Sequence, residues 1–357
     1  MTISASSAAN LYVHFPFCRG RCSYCTLFSR GARPAAERDA YARRIADSIR
    51  KLGFDRPLDT VYLGGGSPAL CDLRPVLSAL SDLVVVGERP SSGTEFTVEL
   101  HPLDVTPSLL ATLKSGGVNR ISMGVQSLDD AILAHMRRGY VFSEAERAFA
   151  AVKDVFDNAG IDLIVGYPGE TAAILPRHER LKSWGLRHCS VYALQNERGH
   201  SDVIDDETVM NRLRETAAFL SGLGLRRYEI SNYAAPGFEC RHNLAVWRGE
   251  DYIGLGDGAC GRVGRLRTRN FWGRAPGQSG EGALPQVKEM VSAEFDEKER
   301  RFFRLRTREG LDAGGHPEWE RTLSGFVSDG LLTREGEVYR LTERGSEVCD
   351  AILAGLA

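Results

Sequence analysis

A chain of 357 residues, 43 % of them hydrophobic, can fill a sizeable core in one large domain and one small one. Its 45 basic and 47 acidic side chains leave a formal net charge of −2, which excludes a global electrostatic affinity for nucleic acid or another polyanion. The opening MTISASSAAN has neither a basic n-region nor an apolar h-region and no stretch reaches membrane-span length, so a cytoplasmic protein that is not integral to a membrane is expected. Eight cysteines at scattered spacing fit a reducing compartment, and Cys71, Cys189 and Cys349, set among apolar neighbours, read as buried small hydrophobes.

The first predicted element is a short alternating strand, Leu11 to His14, after residues 1–10, read as a tail. It runs into a loop holding Cys18, Cys22 and Cys25 in a C-x3-C-x2-C run. Three thiolates on one loop can hold an iron–sulfur cluster, and Gly20 lets the loop fold back. A four-iron cluster held by three thiolates keeps one iron open to a small molecule. A structural zinc site is the competing reading, but zinc sites usually pair C-x2-C with a second pair, and none follows here.

Next comes a helix with Tyr41, Ile45, Ile49 and Leu52 on one face, closed by Gly53. Strand Thr60 to Leu63 enters Gly64-Gly65-Gly66-Ser67-Pro68, and a helical run carries Leu73, Leu77, Leu80 and Val84. After strand Phe96 to Leu100, Thr106 and Pro107 form an N-cap and first-turn pair for a helix ending at Gly116-Gly117. Strand-like segments recur at Arg120 to Val125, Asp162 to Val165, Ser190 to Leu194 and Arg227 to Ser231, with helical stretches at 142–157, 171–183 and 206–221. Alternation of this kind predicts βα units and a parallel sheet, either an open doubly wound sheet or a barrel of six or seven units. Both architectures place function at the carboxyl ends of the strands.

The polar motifs fall at those ends. Glycines 64–66 let backbone groups approach a ligand, and the absence of a following Gly-Lys-Ser/Thr argues against a phosphate loop. Glu99 is the sole acid of its strand, an acceptor for ligand hydroxyls or a cation, or else a surface carboxylate; Gln126 offers both donor and acceptor. Arg138 reads by itself as a solvated helix-end arginine. Farther on, His242 and Trp247 read most simply as packing residues. Gly273 to Gly282 reads as a linker. Beyond residue 288 an amphipathic helix with Phe302 and Phe303, a hairpin turning at Glu335-Gly336 and a helix capped by Thr342 predict a small winged-helix-like domain. Its charges are evenly mixed, which favours a lid or docking role over DNA binding.

These motifs together carry a resemblance. The cysteine run with Tyr24 before its last member resembles the radical S-adenosylmethionine (SAM) enzymes, and Tyr12, His14, Phe15 and Pro16 look like the YVHIPFC opening of the oxygen-independent coproporphyrinogen oxidase family. GGGSP resembles the family's GGGTP, Arg120 to Ser127 its R-x-S-x-G-V-Q-S, and Asp162 to Gly169 its DLIxGLPGQT, with Glu170 where glutamine is usual. The resemblance implies a partial (β/α)6 TIM-like barrel over residues 11–235, a segment and linker over 236–287 and the small domain over 288–357. It implies a 4Fe–4S cluster on Cys18, Cys22 and Cys25, and a SAM site formed by Tyr12, Tyr24, Gly65, Gly66, Ser67, Glu99, Gln126, Arg138, Asp162 and Ala193.

Residues 229–247 look like the EISN(Y/F)A-x-PG-x-x-C-x-H-N-x-x-Y-W signature of the HemW-like branch, associated with haem binding, with Val246 in place of tyrosine. Gly254 to Cys260 resembles G-x-G-x-G-A-H, with Cys260 in place of histidine. The branch implies a chaperone that takes haem, through candidate ligands His242 or Cys260, to haem proteins. The alternatives within the family are a C-methyltransferase with a second SAM and a coproporphyrinogen dehydrogenase. The latter is disfavoured because Leu27 stands where that branch has a further cysteine.

Overall fold

The computed structural model describes residues 9–87, 92–170, 175–194, 204–271 and 286–356. The expected linker at 273–282 and the start of the 171–183 helix lie outside these residues. The first half runs β1 (Asn10–Phe15), α1 (Ala35–Leu52), β2 (Thr60–Gly65), α2 (Arg74–Leu80), β3 (Glu95–Leu100), α3 (Pro107–Ser115), β4 (Arg120–Gln126), α4 (Asp130–His135), α5 (Phe142–Lys153), β5 (Ala159–Val165), α6 (Leu175–His178), β6 (His188–Ala193) and α7 (Asp206–Gly222). Local chemistry sets their ends. Gly53 stops α1 in the left-handed region at φ 59°, and the Thr106 hydroxyl accepts from Leu109 N at the start of α3.

Strands β1 to β6 lie side by side in chain order, each parallel to the next. A doubly wound sheet reverses its strand order part-way, and this one does not. The architecture is a partial (β/α)6 barrel, with β1 and β6 not paired to each other among the described residues. The stretch expected as one more unit of the alternation is instead β7 (Arg226–Glu229), which hairpins onto β8 (Asn232–Ala234), and β8 runs antiparallel to β6. On the other side, α8 (Arg241–Trp247) leads into β9 (Tyr252–Leu255), parallel to β1. β10 (Cys260–Val263), β11 (Leu266–Asn270) and β12 (Gln286–Met290) continue the sheet antiparallel.

Alternation along the strands separates core from lumen. Leu11 and Val13 of β1, Val61 and Leu63 of β2, and Ile161 and Leu163 of β5 are buried beneath the helices with Ile45, Ile49, Val76, Leu77, Leu110 and Phe149. Each such side chain contributes about 1.5–3 kcal/mol by leaving water. The interleaved Tyr12, Tyr62 and Asp162 face inward and keep partial exposure, so the lumen is polar and admits water.

The C-terminal part comprises α9 (Ala293–Leu305), β13 (Leu311–Asp312), α10 (Pro317–Ser328), β14 (Leu332–Glu335), β15 (Val338–Leu341), α11 (Glu343–Glu347) and α12 (Cys349–Ala354). Its three-stranded sheet and its own core of Leu305, Leu311, Trp319, Leu323, Tyr339 and Ile352 make the winged-helix-like arrangement. Among the described residues no helix is long and apolar enough to cross a membrane.

Candidate functional site

The cysteine loop leaves β1 and lies over the carboxyl ends of the strands. Backbone bonds seat it on the glycine loop: Gly66 N donates to Phe15 O and Ser67 N to Phe17 O, each at 2.7 Å. A Cβ on Gly66 would stand 2.3 Å from Phe17 O and 2.9 Å from Cys18 Sγ, so only glycine allows this approach. Side chains tie the loop elsewhere. His14 Nε2 meets Phe28 O at 3.0 Å, Arg30 pairs with Asp257 at 2.6 Å, and the Ser23 and Tyr167 hydroxyls bond to each other.

Cys18, Cys22 and Cys25 are half-buried thiols. Arg138 Nη1 donates to Cys22 Sγ at 3.3 Å and to the Tyr24 hydroxyl at 3.2 Å, and its Nη2 holds Gly124 O at 2.7 Å. Arg138 is therefore a lumen residue beside the cysteines, and the solvated helix-end reading fails. Burial raises the Cys18 thiol, with the neighbouring Cys25 and Cys22 adding to the rise. Among the described residues no three His, Cys, Asp or Glu side chains form a group that could hold a single metal ion. Three half-buried thiols on one loop beside a guanidinium fit an iron–sulfur cluster, whose usual ligands are cysteine thiolates.

Below the loop, Glu99 reaches into the lumen from the end of β3. It accepts from the Tyr62 hydroxyl at 2.8 Å and from Gly65 N at 2.9 Å. Burial, with the neighbouring Asp162 second, pushes its carboxyl up to about 7, so the surface-carboxylate reading is also overturned. Asp162 accepts from Ser122 Oγ at 3.1 Å and is raised mainly by burial, while Ser190 and Arg120 oppose the shift. Gln126 sits at φ 69° on a β-bulge at the end of β4, an uncommon conformation for a residue with a Cβ. A Cβ on Gly124 would come within 2.7 Å of Gln126 Nε2 and 3.4 Å of Arg138 Nη2. Ala193 ends β6, exposed and opposite Val165 of β5. Glu170 accepts from Gly166 N and Tyr167 N and so shapes the loop after β5.

His242 lies elsewhere, at the amino end of the strands. Its Nδ1 meets Thr60 Oγ1 at 2.7 Å, and Thr60 in turn donates to Asn10 Oδ1, which makes Nδ1 the protonated nitrogen. Rings of Tyr12, Tyr62 and Tyr252 surround it at centroid distances of 6.3, 5.2 and 6.4 Å. Burial, then the Arg120 charge, lowers it to about 3, so it stays neutral. Tyr12, whose hydroxyl meets His14 Nδ1 at 2.9 Å, therefore stands between this floor and the cysteine-loop end. Cys260 is exposed at the start of β10, in the register beside Gly254 and Tyr12. Trp247 packs edge-on against Phe303 at 5.7 Å, with Arg306 stacked at 5.5 Å, so the motif's tryptophan joins α8 to α9.

Residues 12–181 match the model of the Radical SAM superfamily. The heme chaperone HemW of Mycobacterium tuberculosis is 33 % identical over 97 % of this chain and 94 % of its own. The chain belongs to the HemW-like radical SAM proteins. Another relative of these proteins, the heme chaperone HemW of Bacillus subtilis, is 33 % identical over 72 % of both chains. The structure of coproporphyrinogen III oxidase (HemN) from Escherichia coli superposes with a TM-score of 0.80 at 19 % identity. It covers 98 % of this chain and 90 % of that one, which shows the shared fold.

The sequence reading gave no role to Tyr62, Asp104, Arg120 or Glu95. Tyr62 stands at an inward position of the strand before the glycines, a signal the alternation already held. Asp104 accepts from Arg19 and from Ser67, and nothing local to Pro-Leu-Asp announces that.

Proposed function

We propose that this chain is a haem-handling chaperone of the HemW type, acting in the cytoplasm and passing haem to acceptor haem proteins. The observation that carries the reading is the convergence of the three thiols, the glycine loop, Glu99 and Arg138 at one end of the barrel, in a chain 33 % identical to a HemW relative over 97 % of its length. Cys18, Cys22 and Cys25 would hold the 4Fe–4S cluster; Gly65, Gly66, Ser67, Glu99, Gln126, Arg138 and Asp162 would bind SAM, with Tyr12, Tyr24 and Ala193 lining its surroundings. When bound, these groups supply one-electron reductive cleavage of a sulfonium bond. Within that arrangement Arg138 donates to Cys22 Sγ and holds that side of the cysteine loop, Glu99 accepts hydrogen bonds or faces a cation, and Gly65 and Gly66 admit close backbone approach.

Of the two haem candidates, Cys260 is open to an iron porphyrin, whereas His242 becomes reachable only when α8 shifts from the floor. The domain over 288–357 would dock the acceptor or cover the open side of the barrel. Haemin titration of the anaerobically reconstituted protein, followed in the Soret band, tests the reading. Stoichiometric binding lost in Cys260→Ala or His242→Ala supports it and names the ligand; no binding above a control protein overturns it. Val246 and Cys260, which depart from the HemW-like signature, leave room for one second reading, a radical SAM methyltransferase. S-adenosylhomocysteine among the products would support that reading, and 5′-deoxyadenosine without methyl transfer would oppose it.

A further inference from the structure

Asp104 sits in the single turn that follows β3, five residues beyond Glu99, and its side chain is 2 % exposed. A carboxylate so deeply buried persists only when both of its oxygens are engaged. Here Oδ1 accepts from Arg19 Nε at 2.7 Å and pairs with Arg19 Nη2 at 2.5 Å, while Oδ2 accepts from the Ser67 hydroxyl. Arg19 lies between Cys18 and Cys22. Ser67 follows Gly66, the glycine whose Cα faces Cys18. Glu99 and Asp104, from one strand end, thus grip the glycine loop at Gly65 N and at the Ser67 hydroxyl, and only Asp104 extends its grip to the cysteine loop.

We infer that Asp104 is a positioning residue that sets the cysteine loop and the glycine loop in one fixed relation, coupling the cluster site to the SAM site. The inference rests on the cofactor assignment proposed above. Asp104 touches neither group; it acts through Arg19 and Ser67. Without it the backbone bonds from Gly66 and Ser67 to the cysteine loop remain, so the cysteines would still take iron, but the Ser67 and Arg19 side chains would no longer hold the two loops in one relation.

The test uses reconstituted full-length wild type, Asp104→Ala, Asp104→Glu and Arg19→Met, the last at a half-exposed side chain whose loss spares the fold. Iron content, the affinity for SAM, and the change in the reduced-cluster electron paramagnetic resonance spectrum on adding SAM are measured. Asp104→Ala and Arg19→Met should keep wild-type iron yet bind SAM at least tenfold more weakly and lose the SAM-induced spectral change, with Asp104→Glu restoring part of both. Wild-type affinity and spectra in both Asp104→Ala and Arg19→Met overturn the inference. Loss of iron at an unchanged melting temperature also overturns it, by placing Asp104 in cluster retention alone. A wild type that takes up no iron overturns the proposed function and this inference with it; indifferent variants beside a competent wild type overturn the inference alone.

Discussion

Glu99 shows how one side chain's surroundings set its behaviour. Its carboxyl is held at about 7 against an ordinary 4.5, because burial and Asp162 disfavour the charge more than Tyr62 and Gly65 favour it. The folded state therefore binds the Glu99 proton more tightly than the unfolded chain does. Its contribution to stability is full below pH 4.5 and is lost as pH rises through 7, by at most about 3 kcal/mol. Glu99→Gln, which removes the titration, should match wild type in urea unfolding near pH 4.5 and exceed it at pH 8. An equal difference at both pH values would refute the assignment. In wild type the affinity for SAM should rise between pH 6 and 8 as the carboxylate forms, and calorimetric titration of Glu99→Gln should find that rise gone. At the same scale, Gly66→Ala puts a Cβ against the Phe17 carbonyl, a backbone group that cannot step aside. The variant should fold with lowered iron content after reconstitution, measured against wild type by iron assay.

Helix α8 closes the barrel floor. Its first backbone N–H groups, from Arg241 and His242, donate to the Glu95 carboxylate at 2.9 and 3.0 Å, and Cys240 Sγ adds a contact at 3.5 Å. Beneath them lies Arg120, almost wholly buried, with Nη1 near Thr97 Oγ1 at 3.5 Å and Glu95 among the charges that hold it protonated. Glu95→Ala would strip the helix of its anchor and remove one of the charges that offset Arg120, costing about 1–3 kcal/mol by urea denaturation. A loss below about 1 kcal/mol would mean that water serves in its place. The Cys240 thiol in this floor is pushed up to about 12 by burial, so alkylating reagents at neutral pH should spare it and modify Cys260.

Across the whole molecule, the C-terminal unit meets the barrel through two kinds of contact. Arg214–Glu347 and Arg248–Glu309 are ion pairs open to water, which screens them and leaves them little weight. Arg262, 4 % exposed at its side chain, reaches Asp296 and Glu299 of α9 from β10, and Trp247 packs on Phe303. Packing and the enclosed pair should dominate. Trp247→Ala and Arg262→Ala are expected to speed limited proteolysis between β12 and α9, while Arg214→Ala and 1 M salt leave the cleavage rate near wild type. Faster cleavage in salt alone would show that the exposed pairs hold the unit instead.

Much of this is legible in the amino-acid sequence. The period-two and period-3.6 patterns gave the six βα units, and residue chemistry alone marked the cysteine loop, the glycine loop and the strand-end acids, because strands alternate faces and loops follow strand ends. Two features were not readable. The Arg227 to Ser231 run has strand composition, but its pairing direction depends on which edge is left open, and that edge belongs to β6, about 35 residues earlier. His242 and the cysteines sit at opposite ends of the same barrel, which no spacing in the sequence states. The sequence by itself determined the elements and the chemistry available at each strand end, since both depend on neighbours within a few residues. Only the tertiary structure decided which of those groups meet, that Arg138 joins Cys22 and Asp104 joins Arg19 to Ser67, because such contacts are set by strand order and register across the sheet.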